Sequence, residues 1–301
     1  MNQQKIEFQK YRDFGQVING TFEFIRHNFL PLLKSIIFIV GPFILLSGIF
    51  SGLYQKDIFS FNSTTTSLSN FGIVSLLYLL ALFLSMITMV SVVYSYVLIY
   101  LERTDESPIQ IDEVWLGVKS NILKVVGITI LIGIIIGVIG ITFFLPLFFI
   151  FNVQSNPLAM IPIIFLVMIP IIYFSNKLTL TYFVSLYENI GAVDSMKRSI
   201  FLIKNKWWFT FGLVIVLSFI QGFMGFLFQI PQYIAMITVM FNSMDGTGVD
   251  GVTEIIIIIT SIIAAFNFVF YAISLIAIAF HYFSLVEQKE AKGLIEKIES
   301  I

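Results

Sequence analysis

A lysine inside an apolar stretch is the feature of this sequence that most suggests binding chemistry. Lys177 interrupts a long hydrophobic segment, with Asn176 beside it and Glu188 eleven residues further on. Eleven helical residues span about 16 Å, so if Glu188 marks the edge of a membrane, the ammonium group begins near the middle. A charge at that depth is energetically costly, so it indicates a functional site unless another explanation is found. Lys177 would then face the bundle interior and contact a phosphate or carboxylate headgroup or an internal carboxylate. Alternatively it snorkels to the surface, or the membrane ends near it.

Three glutamines form a second candidate polar face. Gln221, Gln229 and Gln232 follow one another in an apolar run that also contains glycine and proline. In lipid such amides either line a wet crevice or hydrogen-bond to a neighbouring helix, and we favour the second use. Both interpretations stay open from the sequence alone.

The known catalytic and metal-binding patterns are missing from this chain. It contains no HExxH, GxSxG, P-loop or GxGxxG pattern and no cysteine. Its two histidines, His27 and His281, belong to no cluster with ligand spacing. Ser47 and Ser51 have no general base nearby in the sequence. We therefore predict no metal, no cofactor and no enzymatic activity.

The composition predicts that lipid surrounds these residues. Of 301 residues, 58% are hydrophobic and 12% are charged, whereas soluble domains have about 45–50% and about 25%. Runs of this length satisfy their backbone in lipid as helices. We predict an all-α, polytopic membrane bundle of six transmembrane helices, without a cleaved leader. The six apolar stretches cover residues 30–53, 72–100, 123–150, 158–187, 208–238 and 253–285.

The positive charges predict the orientation of the chain. Six spans place the connections of the chain on two opposite faces of the membrane. Of the 17 lysines and arginines, only Lys56 falls on the face opposite to the termini. All the others fall on the face that carries both termini, which the positive-inside rule places in the cytoplasm. With a net charge of −1, no basic surface for nucleic acid is expected. We predict a multipass protein of the bacterial cytoplasmic membrane, with both termini in the cytoplasm.

Amphipathic stripes precede the odd-numbered spans and suggest an internal repeat. Each stripe has apolar residues on one helical face and one basic residue in the same place, namely Arg26, Lys119 and Lys204. Lys197 and Arg198 add two more basic residues to the third stripe. Together, the basic residues of the stripes form what we call the basic rim. Such a rim either faces anionic lipid at the headgroup level or forms a platform for a partner protein. We predict three parallel units of amphipathic helix plus hairpin, over residues 13–102, 108–188 and 191–287, with a tail over 288–301.

Small residues predict close helix packing in two of the spans. Gly48 and Gly52 are four residues apart in the first span, and Gly133 and Gly137 have the same spacing in the third. This spacing permits the backbones of two helices to approach. We expect both pairs to pack against other helices.

The third unit carries the residues of a family resemblance. Lys177-Leu178 through Glu188, then the run 191–199 (GAVDSMKRS), Leu202 and Trp207-Trp208 resemble the membrane domain associated with bacterial glycerophosphoryl diester phosphodiesterases. The opening helix of that family is similar to residues 12–15 (RDFG), Phe22 and residues 26–29. The resemblance implies topology and not activity, because in the family the hydrolase is a separate soluble domain. Some similar proteins bear a carotenoid-oxygenase label. Such enzymes hold iron with four histidines, whereas this chain has only two.

We therefore predict a non-catalytic integral membrane protein that acts as a scaffold or as a lipid-associated subunit of a membrane assembly. Its predicted partners are membrane lipids and, through the charged tail, another membrane or cytoplasmic protein. The alternative is a small-molecule or lipid transporter that uses Lys177 and the polar face of the fifth span. An oxygenase is the third and weakest alternative.

Overall fold

Helices make up the whole of the regular structure in the described part of this chain. A computed structural model describes residues 6–60, 68–104, 107–151, 157–244 and 251–291. In these ranges there is no strand. The helices are α1 (Phe14–Ser35), α2 (Gly41–Ser60), α3 (Leu68–Glu102), α4 (Ile111–Ile150), α5 (Met160–Lys177), α6 (Thr181–Tyr187), α7 (Ala192–Ile203), α8 (Trp207–Met244), α9 (Gly251–Ala265) and α10 (Tyr271–Glu290).

Six of the helical segments in the described residues are long and apolar enough to cross a membrane. The all-α class and the number of candidate spans are thus confirmed within the described residues. The predicted tail beyond residue 291 lies outside the described residues. The six segments are Phe14–Ile58, Gly72–Glu102, Ile111–Ile150, Met160–Tyr187, Trp207–Asn242 and Gly251–Glu290.

The first span changes its helical winding part-way along. A π-helical turn over Ile36–Val40 joins α1 to α2. Pro31 lies inside α1 and has no N–H to donate, and the hydroxyl of Ser35 donates to its carbonyl oxygen at 2.9 Å. Asn28 has non-helical dihedral angles. These departures occur where the amphipathic stripe passes into the apolar span.

The three amphipathic stripes are built differently. The first and second are continuous with the spans that follow them, in α1 and α4, whereas the third forms a separate helix, α7. Asp194 in the first turn of α7 complements the helix dipole. Asn205 ends the segment with a φ of 68°, a left-handed conformation that asparagine tolerates better than most residues. This local chemistry separates α7 from the fifth span.

The chain divides into two compact units. Unit one contains residues up to Thr21, Asn121–Val214 and residues from Ala277 onwards, and unit two contains Phe22–Ser120 and Ile215–Ile276. Each unit takes residues from all three predicted repeats. The repeat organisation therefore stays a prediction.

In unit two, the glycines of the first span bring two backbones together. A Cβ atom on Gly52 would lie 2.6 Å from the Cα of Ile258, and one on Gly48 would lie 2.7 Å from the Cα of Ile262. Both distances are too short for any side chain. The expected packing of Gly48 and Gly52 is thus confirmed, against α9.

The glycines of the third span behave differently. In the described part of unit one, no side chain or neighbouring backbone lies within 4 Å of a Cβ atom placed on Gly133 or Gly137. Among the described residues, no other helix packs on Gly133 or Gly137, although their spacing permits it. Gly140 of the same span does meet another helix, since a Cβ atom there would lie 3.7 Å from Cδ1 of Ile171 in α5.

Candidate binding sites

Lys177 occupies the C-terminal end of α5 in unit one. The helix stops there, a turn covers residues 178–180, and α6 begins at Thr181. The hydroxyl of Ser199 in α7 donates to the carbonyl oxygen of Lys177 at 2.7 Å. The side-chain amide of Asn176 donates to the carbonyl oxygen of Trp207 at 3.0 Å. Lys177 is therefore held beside α7 and the first residue of the fifth span.

The ammonium group of Lys177 contacts an aromatic ring and, among the described residues, no carboxylate. Its Nζ atom lies 4.2 Å from the centre of the Tyr173 ring, a cation–π contact. The indole N–H of Trp207 donates to the carbonyl oxygen of Tyr173 at 3.2 Å, and Trp208 is 78% exposed. Exposed tryptophan and tyrosine beside lysine are typical of the headgroup level of a membrane. The surroundings of Lys177 resemble this level more than the hydrocarbon centre.

Glu188 forms an ion pair with Arg198 and not with Lys177. Arg198 Nε donates to Glu188 at 3.0 Å, and its other two nitrogens donate to both carboxylate oxygens of Glu290. The hydroxyl of Tyr282 donates to Glu188 at 2.7 Å. The hydrogen bonds to Glu290 raise the pKa of Arg198 above its ordinary value, and those to Glu188 add to this against the opposing effect of burial. This arginine cluster (Glu188, Arg198, Glu290 and Tyr282) joins α7, α10 and the end of α6.

The remaining basic candidates lie at the surface of the protein. Lys197 pairs with Asp194 at 3.5 Å, and both side chains are at least 70% exposed. Lys119 lies 5.2 Å from the centre of the Trp115 ring. Arg26 and Lys204 are exposed. A basic rim that contacts lipid headgroups must be exposed in this way. Among the basic candidates, only Arg198 is enclosed by carboxylates of the described residues.

The two histidines have different surroundings. His27 is half-buried in α1, whereas His281 is fully buried. The Nε2 atom of His281 lies 2.9 Å from the hydroxyl of Thr210, and its ring stacks on Phe209. Its Nδ1 atom has no hydrogen-bond partner among the described residues. In the same part of the chain, no group of three or more His, Asp and Glu side chains has the geometry of a metal site.

Unit two contains a polar cavity between apolar helices. Its volume is about 310 Å³, and ten of its fourteen lining residues carry a hydrogen-bonding side chain, while none carries a charge at neutral pH. Polar side chains are rare between membrane helices and mark water or ligand sites. The ten polar residues of the polar cavity are Ser47, Ser51, Gln55, Tyr78, Ser85, Gln221, Gln229, Gln232, Ser261 and Asn267.

Hydrogen bonds between neighbouring helices close one wall of the polar cavity. Gln232 donates its amide to the Gln55 oxygen, and Gln55 donates to Ser51 at 3.1 Å and to Ser261 at 3.2 Å. Ser261 in turn donates to the Gln232 oxygen at 3.1 Å. The ring of Gln55, Gln232 and Ser261 ties α2, α8 and α9 together.

Another set of polar groups in the polar cavity has no partner within the described residues. The Oδ1 atom of Asn267 is buried and accepts no hydrogen bond from them. The amide of Gln229 and the hydroxyl of Tyr78 also make none. Gln221 accepts a hydrogen bond from Ser274 at 3.1 Å, but its amide nitrogen donates none in this part of the chain. In one wall of the polar cavity the side chains therefore hydrogen-bond to one another. Other lining side chains keep donors and acceptors that a ligand or water can satisfy.

The structure separates the sequence candidates into two groups. Asn176, Lys177, Glu188 and Arg198 belong to unit one, whereas Gln221 and Gln229 belong to unit two. Gln55 and Asn267 also line the polar cavity and were not predicted from the sequence. Ser47, Ser51 and Gln55 recur every four residues, which is a polar stripe on one helical face and a signal that could have revealed the first of these.

Comparison of the chain with protein-family models, with curated proteins and with solved structures finds no match in any of the three. The resemblance to the membrane domain of the phosphodiesterase family therefore stays a prediction.

Proposed function

We propose that this chain is a non-catalytic, multipass protein of the bacterial cytoplasmic membrane that binds anionic lipid headgroups and acts as a scaffold or lipid-associated subunit. One observation carries the proposal. Lys177 has no carboxylate partner among the described residues and lies beside Tyr173 and Trp207, whereas Arg198 on the neighbouring α7 is enclosed by Glu188 and Glu290. A lipid phosphate is the anion that this environment lacks.

The basic rim supports the same proposal. Arg26, Lys119 and Lys204 are exposed and share one face of the predicted topology with Lys177. Basic residues near an anionic leaflet contribute about 1 kcal/mol each at low screening. Several such residues together hold anionic lipids around a helix bundle without any catalytic chemistry.

The cytoplasmic orientation of the basic rim is open to a labelling experiment. The chain contains no cysteine, so single cysteines report without background. We expect Ser63→Cys, in the predicted outer loop, to react with a membrane-impermeant maleimide on intact cells. We expect Lys197→Cys to react only after lysis. Labelling of Lys197→Cys on intact cells would contradict the proposed orientation.

Lipid binding at Lys177 is open to a direct measurement. We expect Lys177→Ala to weaken the retention of phosphatidylglycerol about fivefold, which corresponds to the loss of about 1 kcal/mol for one interfacial charge. Lys177→Arg should keep the affinity, because it keeps the charge. Native mass spectrometry of the protein with graded phosphatidylglycerol and phosphatidylcholine measures both.

Lys197→Ala is the matched control for this experiment. It removes a basic residue from α7, but this residue is exposed and already paired with Asp194. We expect at most a small loss of lipid. The proposal fails if Lys177→Ala and Lys197→Ala retain phosphatidylglycerol equally, or if the wild-type protein retains both lipids equally.

The polar cavity favours a second candidate, a small-molecule transporter. The sequence suggested that Lys177 and the polar face of the fifth span act together. The lining of the polar cavity contains no lysine, so a transported solute would be bound without this ammonium group.

A further inference from the structure

We infer that the polar cavity of unit two is a binding site for a small, uncharged molecule with several hydroxyl groups, either a free polyol or sugar or the sugar headgroup of a glycolipid. The inference does not rest on lipid binding at Lys177, because it concerns other residues in another compact unit.

The absence of charge in the lining selects an uncharged ligand. None of the residues that line the polar cavity is Lys, Arg, Asp, Glu or His. A charged solute would lose its hydration there and find no counter-charge, which is unfavourable between apolar helices. Ten of the fourteen lining residues nevertheless carry a hydrogen-bonding side chain, which a purely apolar occupant such as an acyl chain would leave unsatisfied.

The unpartnered groups select a ligand that both donates and accepts hydrogen bonds. Gln229 offers an amide N–H and an amide oxygen, Asn267 offers an amide N–H, and Tyr78 offers a hydroxyl. None of these side-chain groups has a partner within the described residues. A hydroxyl group also donates and accepts, so a molecule with several hydroxyls can satisfy amides and a phenol at once. In lipid these groups have no bulk water to satisfy them.

The volume limits the size of the ligand. About 310 Å³ is near the lower end of the range for ligand pockets. At about 30 Å³ for each water-sized group, it accommodates about ten non-hydrogen atoms. This is between the size of glycerol and that of a single hexose, whereas a disaccharide is about twice as large.

The polar cavity is built in advance of binding. The hydrogen-bonded ring of Gln55, Gln232 and Ser261 fixes one wall. On the other side, the side chain of Asn267 lies directly against Gly225, where an added Cβ atom would be 1.7 Å from Asn267 Oδ1. Because Gly225 has no side chain, the amide of Asn267 can reach this position. Such preorganisation reduces the entropy lost on binding.

The test uses the purified full chain in nanodiscs with radiolabelled glucose, glycerol and glucuronate as probes. We expect glucose or glycerol to bind and the anionic glucuronate not to bind. A glycolipid, monoglucosyl diacylglycerol, is included in the nanodisc in a separate arm. Binding of the free probes identifies a solute site, and selective retention of the glycolipid alone identifies a headgroup site. Either result supports the inference.

Variants link the binding to the polar cavity. We expect Gln229→Leu and Asn267→Leu to weaken binding at least tenfold. Thr238→Val is the matched control, because Thr238 is an exposed residue of the same helix as Gln229, and its hydroxyl donates to the carbonyl oxygen of Ile234. If Gln229→Leu does not fold, Gly225→Ala tests the same wall by displacing Asn267.

Three results would overturn the inference. The first is that neither the free probes nor the glycolipid bind to the wild-type protein, which would leave water as the occupant. The second is that glucuronate binds as well as glucose. The third is that folded Gln229→Leu or Gly225→Ala binds as tightly as Thr238→Val.

Discussion

Replacement of Gly52 by alanine should lower the free energy of unfolding by about 2–3 kcal/mol, in the upper part of the range for overpacked cores. The added Cβ atom would lie 2.6 Å from the Cα of Ile258 and 3.1 Å from its Cγ1. A rotamer change cannot relieve a clash with a backbone atom, so α2 and α9 must move apart. Gly52→Leu should prevent folding. Thermal unfolding in mild detergent, followed by circular dichroism, measures the change.

Gly137→Ala is the control, since it makes the same chemical change in another span. No neighbouring element within the described residues approaches a Cβ atom at this position, and alanine favours a helix interior over glycine by up to about 1 kcal/mol. We expect unchanged or slightly raised stability. If Gly52→Ala and Gly137→Ala shift the unfolding temperature equally, α2 does not pack closely on α9.

Replacement of Arg198 by alanine should have the second large effect. It removes the guanidinium group that pairs with the carboxylates of Glu188 and Glu290, whose side chains are only 19% and 23% exposed. Loss of one partner from a largely buried ion pair costs about 3 kcal/mol. We therefore expect a marked fall in the unfolding temperature at neutral pH.

A combined variant tests whether the loss of the ion pairs to Arg198 causes this fall in stability. Arg198→Met with Glu188→Gln and Glu290→Gln removes the charges together, and replacement of a whole buried ion pair is often close to neutral. We expect it to be more stable than Arg198→Ala. Lys197→Ala, next in the chain and 74% exposed, should change the stability little. Equal effects of Arg198→Ala and Lys197→Ala would show that the arginine cluster contributes nothing.

Hydropathy predicted the spans well because each is a long apolar run that has no other favourable conformation in lipid. The depth of Lys177 in the membrane stays a prediction. That estimate assumed one helix from Lys177 to Glu188, whereas α5 ends at Lys177. Residues 178–181 (LTLT) contain no glycine or proline to signal the break. Hydrogen bonds from distant residues, Ser199 to Lys177 and Asn176 to Trp207, accompany it.

The candidate sites were predicted only in part. A polar residue in an apolar run is visible in the sequence, whereas its contact with a distant residue is not. Gln221, Gln229 and Gln232 are conspicuous because they interrupt an apolar run, and all three line the polar cavity. Glu188 and Arg198 were each predicted, but not as partners, because a distance of ten residues in sequence does not define a contact across a turn. Glu290 completes the arginine cluster from another helix altogether, and no spacing along the chain reveals such a contact.

The π-helical turn at Ile36–Val40 has a consequence for how far the first span tolerates changes in length. A π turn holds one more residue than an α turn, and each residue rotates a helix by about 100°. The turn thus sets the angular phase between the stripe near Arg26 and the face that bears Gly48, Gly52 and Gln55. A chain shortened by one residue here would keep its hydropathy profile, yet it would turn that face away from α9 and from the polar cavity.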